Sequence, residues 1–198
     1  MLFRSLLKMG GVSRAIEQLT ADGSTDLIRQ SAKDLLPFIT NTKVAFNPNL
    51  TAKGKPVPAA YNPEINTMRF RPTEITEENI IHEATHAATM RVLTLPDSEL
   101  TPQQRNAKKE IIAIYKKAKE RKDLEKEYGI SDVEEFVAEV QSNVEFRAAM
   151  DKQPWYKRLW HAITRLWSNK PIEKISDQAS ALIKEIYLPS AKVMTGQQ

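Results

Sequence analysis

The stretch Asn79-Ile80-Ile81-His82-Glu83-Ala84-Thr85-His86-Ala87 brings together two of the three histidines in the chain and places a glutamate between them. On an α-helix, residues four apart share a face, so His82 and His86 can both turn a ring nitrogen to one cation. Glu83 lies about 100° round from His82, where it reaches a water on that cation without ligating the cation itself. This is the geometry of the H-E-x-x-H pattern, in which two imidazoles hold Zn²⁺ and the carboxylate acts as general base. A core helix that carries two histidines by chance is the alternative. Ile80, Ile81, Ala84, Ala87, Ala88 and Val92 give the segment a buried character, and buried imidazoles need partners.

A hydrolytic zinc centre takes a third protein ligand and leaves one position open for water. An extended motif would require a glycine and a histidine where this chain has Thr89 and Val92, so that branch is excluded. His161 stands among Trp155, Trp160 and Trp167 and reads as a packing or surface residue. A carboxylate from a later helix is the better candidate. Ser131-Asp132-Val133-Glu134 has the form of a capping box and opens such a helix. Val133, Val137, Val140 and Val144 form its apolar stripe with Phe136 beside it, while Glu135 and Glu139 stack one turn apart on another face. Taken alone, the two acids read as a solvated face. Beside the histidine pair, they read as one ligand and one partner to a ligating histidine.

Together with His82-Glu83-x-x-His86, the run Glu135-Phe136-Val137-Ala138-Glu139 and the tyrosine seven residues before it, Tyr128, resemble the gluzincin metallopeptidases of the anthrax lethal factor type. The wording is also similar to metallopeptidase domains in polyvalent proteins of bacteriophages and conjugative elements. The resemblance spans about residues 43–150 and departs at Val137, where the family motif has phenylalanine. It implies a zinc-dependent endopeptidase with His82, His86 and Glu135 as metal ligands and Glu83 as general base. It further implies that Glu139 supports the site from behind a ligand, and that Tyr128 stabilises the tetrahedral intermediate or donates a proton. In such enzymes an edge strand before the active-site helix pairs with extended substrate. That would make Thr67–Arg71 the binding strand, with Thr67, Arg69 and Arg71 as its contact residues; the equal alternative is that Thr67–Arg71 is simply a hairpin strand.

The elements that must position these groups give an α+β, mainly helical fold of zincin-like type. It should have a small antiparallel sheet or hairpin followed by the active-site helix and a second ligand-bearing helix. Helices are expected up to about residue 42, broken at Gly10-Gly11. Val44 and Phe46 alternate before the turn signal Asn47-Pro48-Asn49, and Gly54, Pro56 and Pro58 mark a loop. Two short strands follow about Asn62-Pro63. Thr73 or Thr76 caps the active-site helix, which runs to about Leu93. Thr101-Pro102-Gln103-Gln104 opens another helix, expected to reach Glu127 before Gly129. The helix opened by Ser131 should run to about Met150, and two amphipathic helices, 154–167 and 172–188, close the chain. We therefore expect one domain over residues 1–198: N-terminal helices (1–42), the zincin-like core (43–150), and C-terminal helices with a tail (151–198).

With 198 residues, 41% hydrophobic and 27% charged, the chain can bury one core. The complete lack of cysteine excludes a disulfide framework, a thiolate metal site and a cysteine nucleophile, and it suits a reducing compartment. A net charge of +4 spread along the chain is not a one-sign patch, so nucleic acid is not an expected partner. No apolar run approaches the roughly 20 residues that span a bilayer, and the charged start is no secretory leader. The expected partner is a protein or peptide substrate, and the expected location is cytoplasmic, or virion-associated and injected if phage-encoded. A larger parent polypeptide, or a partner docking on the basic, tryptophan-rich helix 155–167, also fits. The alternative function is a phage or mobile-element structural binding module on a zincin-like scaffold.

Overall fold

The computed structural model describes residues 2–121, 124, 131–152 and 175–188. Among them are seven α-helices and five short strands, an α+β arrangement that is mainly helical. The helices are α1 (Leu2–Asp22), α2 (Asp26–Leu35), α3 (Glu77–Thr94), α4 (Pro102–Lys119), α5 (Val133–Ser142), α6 (Val144–Asp151) and α7 (Ile175–Glu185). The strands are β1 (Lys43–Phe46), β2 (Thr51–Ala52), β3 (Lys55–Pro56), β4 (Ala59–Asn62) and β5 (Thr67–Phe70). Helix α1 is bent at Gly11, whose φ of 72° lies in the left-handed region that glycine tolerates without a steric penalty.

The sheet differs from the antiparallel one expected. Strand β5 is central, in the order β1-β5-β4, with β4 antiparallel and β1 parallel to it. The β4–β5 hairpin turns at Asn62-Pro63 as the sequence indicates: Asn62 Oδ1 accepts the Glu64 amide at 2.9 Å, an Asx turn. Asn66 then takes a left-handed conformation, φ 46°. It buries its amide on Asn41 O, Thr42 and the Tyr61 hydroxyl, which ties the β1 and β4 sides of the sheet together. The glycine- and proline-marked segment is not a plain loop. It forms the β2–β3 hairpin, with positive φ at Lys53 and Gly54, the pairing that a two-residue hairpin turn favours.

Helix α3 lies under the sheet and against α2 and α5, so Ile80–Thr89 is buried on every side. Thr76, not Thr73, caps it by accepting the Asn79 amide at 3.1 Å. The buried hydroxyls of Thr85 and Thr89 are satisfied by the carbonyls of Ile81 and Thr85, at 2.8 and 2.7 Å, the back-bonding available to a mid-helix threonine. Helix α4 has the expected reciprocal cap between Thr101 and Gln104. It ends at Lys119, before the expected Glu127, and its buried stripe is Ala107, Ile111, Ile114 and Ala118.

Helix α5 also differs from expectation. Asp132, not Ser131, is its cap, accepting the Glu135 amide at 2.8 Å, and the helix stops at Asn143 instead of continuing to Met150. Phe136 sits between Tyr115 and Phe146, with ring centroids 5.8 and 6.0 Å away. Because Phe136 is buried in the core, its neighbour Glu135 must face elsewhere; Phe→Ala at such a site costs about 3–5 kcal/mol. Helix α7 straps the assembly. Gln141 donates to the Tyr187 hydroxyl at 2.9 Å and accepts from Ser180 at 2.7 Å, while the Leu188 amide reaches Ala88 O on α3 at 2.9 Å. The tryptophan-rich segment with Trp155, Trp160, His161 and Trp167 lies outside the described residues.

At the α4–α7 interface, burial first and then the charge of Glu185 push Glu110 up from 4.5 to about 7. One Glu110 oxygen, Oε2, is buried without a hydrogen-bond partner. A carboxyl raised in this way favours the fold while protonated, and that contribution is lost as pH rises from 4.5 through about 7. Glu110→Gln should therefore raise the melting temperature at pH 8 by about 2 °C, a modest gain because solvent reaches the group, and leave it unchanged at pH 4. Melting curves at both pH values check this.

Candidate metal centre

His82 and His86 lie one turn apart on α3, and Glu135 reaches them from the first turn of α5. His82 Nε2 is 2.9 Å from Glu135 Oε2 and 3.2 Å from His86 Nε2, and His86 Nε2 is 3.4 Å from Glu135 Oε1. Donor atoms about 2.0–2.1 Å from a tetrahedral ion stand roughly 3.3 Å apart, so the three groups already have the spacing of three corners of such a site. Among the described residues, they are the group of histidines and acids that could hold a metal ion. All are sheltered: His82 is 9% exposed and His86 4%.

The electrostatics follow from that burial. Desolvation alone would lower the His82 pKa, but hydrogen bonds to Glu135 and Glu139, with the charges of Glu83 and Glu135, raise it to about 10. Burial likewise pushes Glu135 up, yet the two histidines hold it well below the ordinary carboxylate range. His82 and Glu135 thus face each other as a buried pair of opposite charge.

Two neighbours complete the geometry. Glu139, one turn beyond Glu135 on α5, accepts from His82 Nδ1 at 3.1 Å. That contact assigns the ring proton to Nδ1 and leaves Nε2 for the metal side. Glu83 is 6% exposed. Burial pushes its pKa up despite the histidines, and its carboxylate accepts the Tyr61 backbone amide. Glu83 Oε2 is buried without a hydrogen-bond partner. The Glu83 residue lines a cavity of about 260 Å³ that also touches His82, Glu139 and the chain entering β4 at Val57–Ala59. A larger cavity of about 520 Å³ adjoins it, sharing Glu78, between the N-terminal ends of α2, α3 and α6.

The edge position expected of the strand Thr67–Arg71 is corrected by the sheet order, and the strand is the hairpin strand of the alternative reading. Strand β5 is paired on both sides, so its backbone has no free edge. Its side chains serve the fold: Thr67 donates to Ile65 O, and Arg71 holds Leu50 O and Glu74. Arg69 alternates with the fully buried Met68 and Phe70, and it lines a cavity with Leu50, Pro63 and Glu64 that holds none of the histidines. Strand β4 is the edge on the metal side. Pro58 O accepts the Arg71 amide at 2.8 Å. Hydrogen-bonded pairs alternate along an antiparallel ladder, so Ala59 and Tyr61 turn their amides and carbonyls outward. Tyr128 lies outside the described residues.

Asn143 belongs to the neighbourhood as well and escaped sequence reasoning. Its side chain donates to Glu139 Oε2 at 2.7 Å. The i, i+4 spacing from Glu139 is the only signal the sequence offered for it. Comparison with protein-family models, with curated proteins and with solved structures finds no match to this chain. Among the described residues, no helix is long and apolar enough to cross a membrane.

If the three groups bind a divalent ion, adding it at about 100 times its Kd should stabilise the fold by roughly 2.7 kcal/mol. That corresponds to about 5–10 °C for a chain of this size. His86→Ala and Glu135→Ala should abolish the shift. A thermal melt series with and without Zn²⁺ and a chelator reads it directly.

Proposed function

We propose that this protein is a zinc-dependent endopeptidase whose metal is held by His82, His86 and Glu135. The observation that carries the reading is Glu83, which lines the cavity beside His82 and whose Oε2 is buried without a hydrogen-bond partner. A site that held a metal only to brace a scaffold would have no use for that carboxylate, and leaving it buried is costly. Two histidines and a carboxylate also serve iron(II) oxygenase centres, but a proton-accepting group packed against the ligands favours hydrolysis.

Zinc, when bound, supplies a Lewis acid that brings the pKa of its water toward roughly 7 and polarises the scissile carbonyl. Glu83, with its pKa pushed up by burial, takes a proton from the water as its oxygen attacks the carbonyl carbon. It passes that proton to the amine nitrogen as the C–N bond breaks. Glu139 fixes the His82 ring throughout. The outward amide and carbonyl of Ala59 on β4, beside the cavity, give an extended peptide a backbone to pair with. Specificity for main chain over side chain is thereby built in. Tyr128, by the resemblance, is the residue that hydrogen-bonds the developing oxyanion.

Incubation of the purified protein with a peptide library should give cleavage that a chelator stops and Zn²⁺ restores; absence of cleavage with zinc bound would remove the peptidase reading. Glu83→Gln should keep one equivalent of zinc and lose about 10²–10⁴ of the rate, and retained activity would take Glu83 out of the base role. Tyr128→Phe should keep the metal and lower kcat by about 10²-fold or more, read by steady-state kinetics on a peptide found in the library.

A further inference from the structure

We infer that Asn143 is a positioning residue of the metal centre, holding Glu139 so that Glu139 in turn holds the His82 ring. This rests on the zinc reading above. Asn143 stands at the break between α5 and α6, and each of its polar groups is committed. Its backbone amide donates to Glu139 O at 2.9 Å, closing α5. Its Oδ1 accepts the Phe146 amide at 3.0 Å, capping α6. Its Nδ2 donates to Glu139 Oε2 at 2.7 Å, and Glu139 Oε1 takes the His82 Nδ1 proton at 3.1 Å.

The cap removes the usual ambiguity of an amide. Oδ1 must face the Phe146 N–H, so Nδ2 has to face Glu139. With one oxygen held by Asn143, the Glu139 carboxylate presents the other to His82 in a single orientation. The ring's Nε2 is then directed at His86 and Glu135. Groups placed behind metal ligands in this way are worth about 10–100-fold in metal affinity. The break in the helix therefore has a chemical purpose: it creates a cap residue whose spare donor reaches the site.

Asn143→Asp separates the two duties. Aspartate caps a helix as well as asparagine does, so α6 is retained, but the donor becomes a second carboxylate against Glu139. Zn²⁺ affinity is measured by competition with a chromophoric chelator, and the metal-free melting temperature is measured alongside. Asn143→Asp should bind Zn²⁺ about tenfold or more weakly at a temperature where the metal-free variant is still folded, because the two facing carboxylates also lower its melting temperature. In a Glu139→Ala background the same substitution should have no further effect on Zn²⁺ affinity, because its route to His82 is gone. Unchanged affinity in the single variant overturns the inference, as does an equal loss in both backgrounds, which would mark a general packing effect. Should Asn143→Asp not fold, Asn143→Ser keeps a capping oxygen without the amide or the charge, and the same cycle applies. A wild-type protein that takes up no Zn²⁺ overturns the zinc reading itself, an outcome distinct from zinc binding that Asn143 leaves unaltered.

Discussion

The structure turns on the burial of charge in helix α3. His82, Glu83 and His86 lie in a segment with no solvent face, between apolar residues that hold it in the core. Ionisable groups in such a place cost several kcal/mol each unless they are paired and hydrogen-bonded. The pairing comes from one neighbour, α5, whose first turn sends Glu135 to both rings and whose second sends Glu139 to the back of one. The close packing of α3 and α5 therefore follows from electrostatics as much as from the valines and phenylalanines between them. His82, His86 and Glu135 together could hold a metal ion, while Glu83 Oε2 and His86 Nδ1 stay buried without hydrogen-bond partners.

Other parts of the fold serve that contact. Phe136, locked among Tyr115 and Phe146, sets the rotation of α5 about its axis and so turns the neighbouring Glu135 to the histidines. Asp132 and Asn143 cap and end the helix that carries both acids. Helix α7 and the residues just after it hold α5 through Gln141 and α3 through Ala88, bracing the two helices that carry the candidate ligands against one another. On the opposite side, β4 places the Tyr61 amide on Glu83, and Val57–Ala59 line the cavity beside it.

Much of this was legible in the residues. The i, i+4 pair of histidines, the flanking glutamate and the later Glu135–Glu139 pair are local patterns whose helical phase follows from spacing alone. The Gly10-Gly11 bend, the Thr101 capping box and the Asn62-Pro63 turn were legible for the same reason, since each depends on a few adjacent residues. Errors arose where two local signals competed or a distant partner decided. Ser131 and Asp132 both suit a helix cap, and Asp132 prevailed because its carboxylate meets the Glu135 amide. Valines spaced through 133–144 suggested one long helix, but Asn143 found better partners by ending it.

The sequence by itself determined which side chains could do chemistry and which helices carry them, because periodicity and capping are properties of neighbouring residues. Only the tertiary structure decided that Glu135 meets His82 and His86, and that Glu139 and Asn143 stand behind them in a chain. It also decided that β5, flanked on both sides, yields the edge to β4. These outcomes depend on residues tens of positions apart competing for one buried space, where the winning arrangement leaves the fewest charges and backbone groups unpaired.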